Sequence, residues 1–360
     1  MKSSILQLKF IKVALVWSFL FGLVLTSCSK KDSTPPPPPA DKTALQAAVT
    51  AAQALNDNSV EGTKPGQYEA GSKAALTAAL TASKTVLADA SATQSSVNNT
   101  TAQLLAAIDA YQGHLIKEIA AANLIGYWKM NGNANDSSGN GNDGVLTAGH
   151  AYYGAGMPVL TADRFGRASM AYHFDNGGNI EVPYKASLNS GEMSISVWFK
   201  KSLRDPLRTL NTDTYTMVAM NRWNGYKLQL QSANKIFFTV RHVNPGADPY
   251  YNRDDETFVA DNDVWYNGIV TFKAGEMNFY VNGDLVKSWT DVPESAVTLT
   301  DPINFVIGQD LPTDKYLTVD GDFQVAWGGF WTGDLDDVMY YNVALSATQV
   351  HSIFINQNTL

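Results

Sequence analysis

Residues 193–200 read MSISVWFK. Met193, Ile195, Val197 and Phe199 fall on one side of an extended chain, and Ser194, Ser196, Trp198 and Lys200 on the other, because successive side chains of a strand point to opposite faces. The alternation predicts a strand with one face in a core. The same texture recurs downstream. Residues 226–230 and 235–241 predict a hairpin around Ser232-Ala233-Asn234. Residues 265–272 and 277–281 follow, and Asn282-Gly283 is a two-residue hairpin turn leading into 284–289. Residues 303–307 and 333–341 add two more strands, and Ser346 with Gln349 forms a capping box opening a short terminal helix. Many short strands between Gly, Asn and Asp turns predict an antiparallel β-sandwich over residues 123–360.

Upstream the composition changes. Residues 41–122 are rich in Ala, Thr, Ser and Leu, and Leu45, Val49, Ala52 and Leu55 recur at helical spacing. Residues 56–66 hold the breakers Gly62, Pro65 and Gly66. A second helix is expected over 68–87, and a third from a capping box at Ser91 and Gln94, with Val97, Leu104, Leu105 and Ile108 on its apolar face. This N-terminal three-helix α segment resembles the FIVAR-type bundles of bacterial surface proteins, through Tyr68 and ATQSSVNNTTAQLLAAIDA at 92–110. It is expected to serve as a spacer. Residues 28–40 end in the run Pro35–Pro39, a polyproline II rod of roughly 3.1 Å per residue.

Residues 1–27 carry Lys2, Lys9 and Lys12 ahead of an apolar run, 13–24, broken by Ser18 and Gly22. That run is short of the roughly 20 residues a membrane span needs and suits a secretory signal peptide. It ends in Leu25-Thr26-Ser27-Cys28, which resembles the lipobox of bacterial lipoproteins. The resemblance implies cleavage before Cys28 and lipidation of Cys28, the only cysteine in the chain. A buried free thiol or an uncleaved anchor is the plainer alternative. Lipidation would tether the protein to a membrane of the cell envelope, expected to be the outer membrane, with its surface and periplasmic faces both open. Removal of 1–27 takes three lysines and no acids, so the formal charge goes from -8 to -11. A nucleic-acid partner is not expected from an acidic chain without a basic patch.

The C-terminal region is similar to the LamG-like, concanavalin-A-like jelly roll of bacterial surface proteins. The resembling strings, in the family's order, are GYWKMNGNANDSSGNGNDG at 126–144, DRFGRASMAYHFDNGGNIEVP at 163–183, SLNSGEMSISVWFKK at 187–201, NFYVNGDLV at 278–286 and GDLDDVMYYNVALSATQV at 333–350. The resemblance implies a mainly β fold, an antiparallel jelly-roll β-sandwich. It also implies a structural Ca2+ between the first polar turn and the last strand, which implicates Asp136 and Asp336, with Asp143 a further candidate. The turn itself offers Asp136, Asn140, Asn142 and Asp143 as oxygen donors. The same residues are also ordinary turn formers.

Sugar sites pair flat aromatic rings with planar polar groups. Candidates for ligand binding are Arg222 and Trp223, Tyr250 and Tyr251, and Trp327 and Trp331. The competing reading is that these rings plug the ends of the core. Catalysis is not expected. The glucanase branch of the fold places alternating acids on one strand as Glu-x-Asp-x-x-Glu, and that motif is absent; Asp334 and Asp336 alternate, but no third acid follows. The five histidines are scattered, and no metalloprotease, serine-hydrolase or P-loop pattern occurs. The expected function is a cell-envelope lipoprotein with a non-catalytic carbohydrate-binding domain. A protein-binding adhesion module, a structural envelope protein and a glycoside hydrolase are the alternatives, the last disfavoured.

Overall fold

In the computed structural model of the chain, residues 38–204, 214–244, 248–299, 303–318 and 323–358 are described. The leader, the lipobox with Cys28 and the first prolines of the rod lie outside the described residues. No helix among the described residues is long and apolar enough to cross a membrane.

The N-terminal segment holds α1 (Thr43–Asn58), the short parallel pair β1 (Glu61–Gly62) and β2 (Tyr68–Glu69), α2 (Lys73–Ala88) and α3 (Gln94–Gly113). Leu45, Val49, Leu76, Leu80, Val97, Leu104 and Ile108 close its core. Two boundaries differ from expectation. Tyr68 stands outside α2, stacked on Tyr111 at 4.2 Å, and the helix starts at Lys73, whose backbone N–H donates to the Glu61 carboxylate at 2.6 Å. The cap of α3 is Thr93, which accepts from Ser96 N at 3.2 Å, whereas Ser91 donates to Asp89 instead. Leu105, one residue past Leu104 and so turned off the apolar stripe, faces solvent.

The second part is built along the chain from β3 (Leu124–Trp128), β4 (Val145–Thr147), β5 (Val159–Thr161), β6 (Ala171–Phe174), β7 (Asn179–Val182), β8 (Met193–Lys201), β9 (Tyr215–Met220), β10 (Tyr226–Gln231), β11 (Lys235–Arg241), β12 (Tyr250–Asp254), β13 (Trp265–Lys273), β14 (Glu276–Val281), β15 (Asp284–Trp289), β16 (Phe305–Ile307) and β17 (Gly333–Tyr341), and then α4 (Ala347–Asn358). One sheet runs β12-β11-β10-β9-β16-β7-β4. The other runs β15-β14-β13-β8-β17-β6-β5, with β3 also paired to β17. Every pairing in the two sheets is antiparallel. The fold is therefore the expected antiparallel β-sandwich with N-terminal helices.

The core lies between the sheets. Met193, Ile195, Val197 and Phe199 of β8 point inward with no exposed surface, and meet the Leu228, Phe238, Phe305 and Ile307 side of the facing sheet. The opposite face of β8 is also buried, which alternation alone does not reveal. Helix α4 lies over it: Trp198 stacks on Phe354 at 5.7 Å and donates from Nε1 to Gln357 Oε1 at 2.9 Å. The expected capping box starts α4, with Gln349 N donating to Ser346 Oγ and Ser346 N to Gln349 Oε1. The same helix reaches the N-terminal segment, where Ser352 Oγ donates to Thr63 O at 2.5 Å and Gln349 Nε2 to Lys117 O.

Between β14 and β15, Asn282 (φ 51°) and Gly283 (φ 83°) are both left-handed, as a two-residue hairpin requires. A side chain at 283 would stand 2.9 Å from the Phe354 ring. Gly283→Ala should therefore cost about 1–2 kcal/mol, measured as a lower urea midpoint. Unaltered stability would mean that neither the turn nor the helix contact is as tight as described.

Candidate functional site

The loop between β9 and β10 carries Asn221 and Arg222 with positive φ, 62° and 48°. Non-glycine residues rarely hold that conformation unless their surroundings fix it. Here the fixing contact is ionic. The Arg222 side chain turns inward, with Nε 2.9 Å from Asp310 Oδ2 and Nη2 3.3 Å from Oδ1, and both side chains are buried. The Tyr316 hydroxyl donates to the same Asp310 carboxylate, and Arg222 Nη1 donates to Gln324 O at 3.3 Å. Burial pulls the Arg222 guanidinium down, but Asp310 more than offsets this and holds it above its ordinary range. Burial, then the Asp310 charge, pushes the Tyr316 hydroxyl well up. The ion pair thus ties the β9–β10 loop to the 310–327 loop.

That tie brings three rings together. Trp223, next to Arg222, remains 37% exposed and stands edge-on to Tyr250 at 6.1 Å and to Phe237 at 6.2 Å. Trp327, at the far end of the second loop, is 64% exposed. Arg222, Trp223, Asn224, Tyr250 and Trp327 line a cavity of about 270 Å³. The Asn224 carbonyl oxygen accepts from Arg241 Nη1 at 3.2 Å. Under Trp223 lies Lys227 of β10, 3% exposed, with Nζ 3.9 Å from the ring centroid. Burial pushes its ammonium down to about 8, and the nearby Arg222 charge acts in the same direction against Asp310.

Four of the six residues expected to bind ligand, Arg222, Trp223, Tyr250 and Trp327, therefore line one cavity. The other two are corrected to core residues. Tyr251 follows Tyr250 on β12 and so points to the opposite face, where it stacks on His242 at 4.2 Å and its hydroxyl accepts from Glu294 N. Trp331 is fully buried, edge-on to Phe199 at 5.7 Å and to Tyr215 at 6.2 Å. Gly328 and Gly329 let the chain turn inward before it; a side chain at 328 would collide with the Tyr153 hydroxyl, and one at 329 with Thr216. Asn224, Lys227 and Asp310 were not expected. The strand YKLQLQ at 226–231 does carry a signal for Lys227, because its polar alternate positions place it opposite Tyr226, Leu228 and Leu230. Nothing local marks Asp310 as the partner of a residue 88 positions away.

The residues expected to hold Ca2+ have other partners. Asp136 accepts from the backbone N–H groups of Tyr127, Ser138 and Asn142 and from the Ser138 hydroxyl, which knits the 136–144 turn. Asp143 accepts from Asp136 N at 2.9 Å. Asp336 lies beside a β-bulge in β17; its carboxylate meets Arg164 Nη1 at 2.7 Å, while Arg164 Nη2 reaches Asp337 at 2.9 Å. Among the described residues, no three His, Cys, Asp or Glu side chains are grouped to hold a metal ion. The oxygens of these acids are thus engaged by N–H donors and by a guanidinium, whereas calcium takes six to eight oxygen ligands.

Comparison with known proteins agrees with this architecture. Residues 174–351 match the family model described as the concanavalin A-like lectin/glucanases superfamily. Similar solved structures include domain 4 of AbnA, a GH43 extracellular arabinanase from Geobacillus stearothermophilus, in complex with arabinotriose. It is 20% identical, with 64% of this chain and 98% of that one covered and a TM-score of 0.46. The binding domain of Paraclostridial Mosquitocidal Protein 1 is 15% identical, with 66% and 53% covered and a TM-score of 0.47. The binding domain of botulinum neurotoxin DC in complex with SialylT is 16% identical, with 66% and 51% covered and a TM-score of 0.42. A gellan lyase from Bacillus sp is 43% identical over 77 residues, and the chain spans 3% of that protein's length.

Two outcomes follow from the geometry. Arg222→Met leaves Asp310 buried without its cation and should cost about 3–5 kcal/mol in urea unfolding; a loss under 1 kcal/mol would show that the loops hold together without the pair. Melting temperature should be the same in excess calcium and in EDTA, since Arg164 pairs with Asp336 and Asp337 of β17. A rise with calcium would show that the ion displaces these contacts.

Proposed function

Residues 174–351 belong to the concanavalin A-like lectin/glucanases superfamily, and from that premise we propose that the chain is a non-catalytic glycan-binding lipoprotein of the cell envelope. The observation that carries the proposal is the convergence of Trp223, Tyr250 and Trp327 from three separate parts of the chain on one cavity. Indole and phenol rings stack on the apolar faces of sugar rings, and the Asn224 amide and Arg222 supply planar polar groups beside them. An indole left 64% exposed at a cavity mouth costs solvation and stabilises no core, which favours a ligand role for Trp327.

The non-catalytic reading has its own support. Glycoside hydrolysis uses a pair of available carboxylates. The two acids that alternate on β17 are engaged: Asp334 by His173 Nδ1 at 2.7 Å and Lys200 Nζ at 2.6 Å, and Asp336 by Arg164. The Asp334 charge raises the His173 imidazole above its ordinary range, mainly through this hydrogen bond. Among the described residues, no carboxylate lines the candidate cavity. The lipid on Cys28 would anchor the chain, with the proline run and helices α1–α3 between membrane and sandwich.

Binding to a polysaccharide panel tests the proposal. Trp327→Ala should weaken glycan binding by about tenfold or more without lowering melting temperature. Trp331→Ala should do the reverse and cost about 3–5 kcal/mol of stability. Binding that survives Trp327→Ala would move the ligand away from this cavity. Labelling by a radioactive lipid precursor should disappear in Cys28→Ala; persistent labelling would remove the anchor from the proposal.

A further inference from the structure

Trp265 opens β13 on the side of its sheet that looks away from the core. Lys200 is its cross-strand neighbour, and the next residue on the same side is Asn267, opposite Trp198. Tyr266, one residue on, turns the other way, to Phe199 at 5.8 Å and Phe258 at 5.1 Å. Helix α4 covers Trp198 through Phe354. Trp265 stays partly exposed, and among the described residues it joins none of the apolar clusters. Lys200 Nζ, paired with Asp334, stands 5.4 Å from its ring centroid.

Arg164, Trp198, Trp265, Asn282, Phe354 and Asn358 line a cavity of about 200 Å³. Rings form one part of its wall and planar polar groups the rest. Asn282 is fixed by its hairpin turn and by Oδ1, which accepts from Asn267 N at 2.9 Å; its Nδ2 has no partner among the described residues. Asn358 ends α4 and is exposed. Arg164 is held by Asp336, Asp337 and Gln357 O through its two Nη groups, and its guanidinium lies 4.3 Å from the Trp198 ring. Its Nε, also buried, has no acceptor among the described residues. The composition thus repeats that of the first cavity: an indole outside the core, beside amides and a guanidinium fixed by an ion pair. The two cavities open on different sheets. Tyr250 belongs to the sheet that ends in β12, and Trp198 and Trp265 to the sheet of β8 and β13.

We propose that this cavity is a second glycan site, with the Trp265 ring as its stacking platform and Asn282, Asn358 and Arg164 as its hydrogen-bonding groups. At about 200 Å³ it is smaller than the roughly 300–1,000 Å³ of a pocket for a drug-sized ligand, which suits one or two units of a longer sugar chain. The class of ligand rests on the glycan-binding reading of the first cavity; the place of the site does not. Both sites face outward from opposite layers of the sandwich. A protein so equipped bridges neighbouring polysaccharide strands, and it holds one long strand that reaches both sites more tightly than either site does alone.

The test uses the full chain against the polysaccharide panel, with each polymer also supplied as short oligosaccharides. Calorimetry reads the number bound per chain, and turbidity reads cross-linking of the polymer. The unaltered protein should take two oligosaccharide equivalents and cloud the polymer solution. Trp265→Ala and Trp327→Ala should each leave one equivalent and abolish the clouding, and the double variant should bind none. Asn358→Ala, at an exposed helix end where substitution spares the core, should weaken the second equivalent several-fold at unaltered melting temperature. A single equivalent, lost in Trp327→Ala but unaltered in Trp265→Ala and Asn358→Ala, would overturn the second site and leave the first intact. A single equivalent lost in Trp265→Ala and kept in Trp327→Ala would uphold this site and overturn the first. Binding of no member of the panel would overturn both.

Discussion

The contact on which the candidate site depends is the buried ion pair between Arg222 and Asp310. The two residues belong to different connections, in which Trp223 and Trp327 each sit in a single short 3-10 turn. A buried guanidinium accepts few positions, because any departure from its carboxylate leaves two charges in a poorly solvating interior. The pair therefore converts a solvation requirement into a geometric one. Positive φ at Asn221 and Arg222 is the local strain that this requirement sustains. Trp223 and Trp327 inherit their positions from it, one by sequence adjacency and the other through the hydrogen bond from Arg222 to Gln324 O.

Much of the sandwich was legible in the sequence because its signals are local. The alternation in MSISVWFK is a property of neighbouring residues, and so is the left-handed preference of Asn282-Gly283. Both reappear where expected, as does the Ser346 and Gln349 cap. The misses have a common cause. Whether an aromatic residue lies inside or outside depends on which way the strand enters the sheet, and a one-residue step separates Tyr250 at the cavity from Tyr251 in the core. The glycines at 328 and 329 admit Trp331 to the interior, but their close contacts are with Tyr153 and Thr216, far away in sequence.

The acidic motif of β17 shows the same limit. From sequence, Asp336 and Asp136 resemble ligands of a structural ion. In the structure Asp336 pairs with Arg164, which also stacks on Trp198 at 4.3 Å and donates to Gln357 O near the end of α4. A guanidinium can join two carboxylates, an indole face and a helix terminus at once. The turn residues Asp136 and Asp143 are satisfied by backbone N–H groups within their own loop.

Strand β17 sits in the middle of its sheet, with β8 along one edge and both β6 and β3 along the other. Among the described residues it also follows every other strand in the chain. Until residue 341 is available, β8 and β6 have no shared neighbour and the eight-stranded layer is two unjoined halves. Pairings between segments so distant in sequence form slowly, because chain entropy must be lost before they are rewarded. A nascent or translocating chain can fold its N-terminal helices early, from local contacts, but its sandwich must wait for its final strand. The sandwich is thus completed only after the residues through 341 have arrived in one compartment, and a chain cut short before β17 would have nothing to close the sheet around.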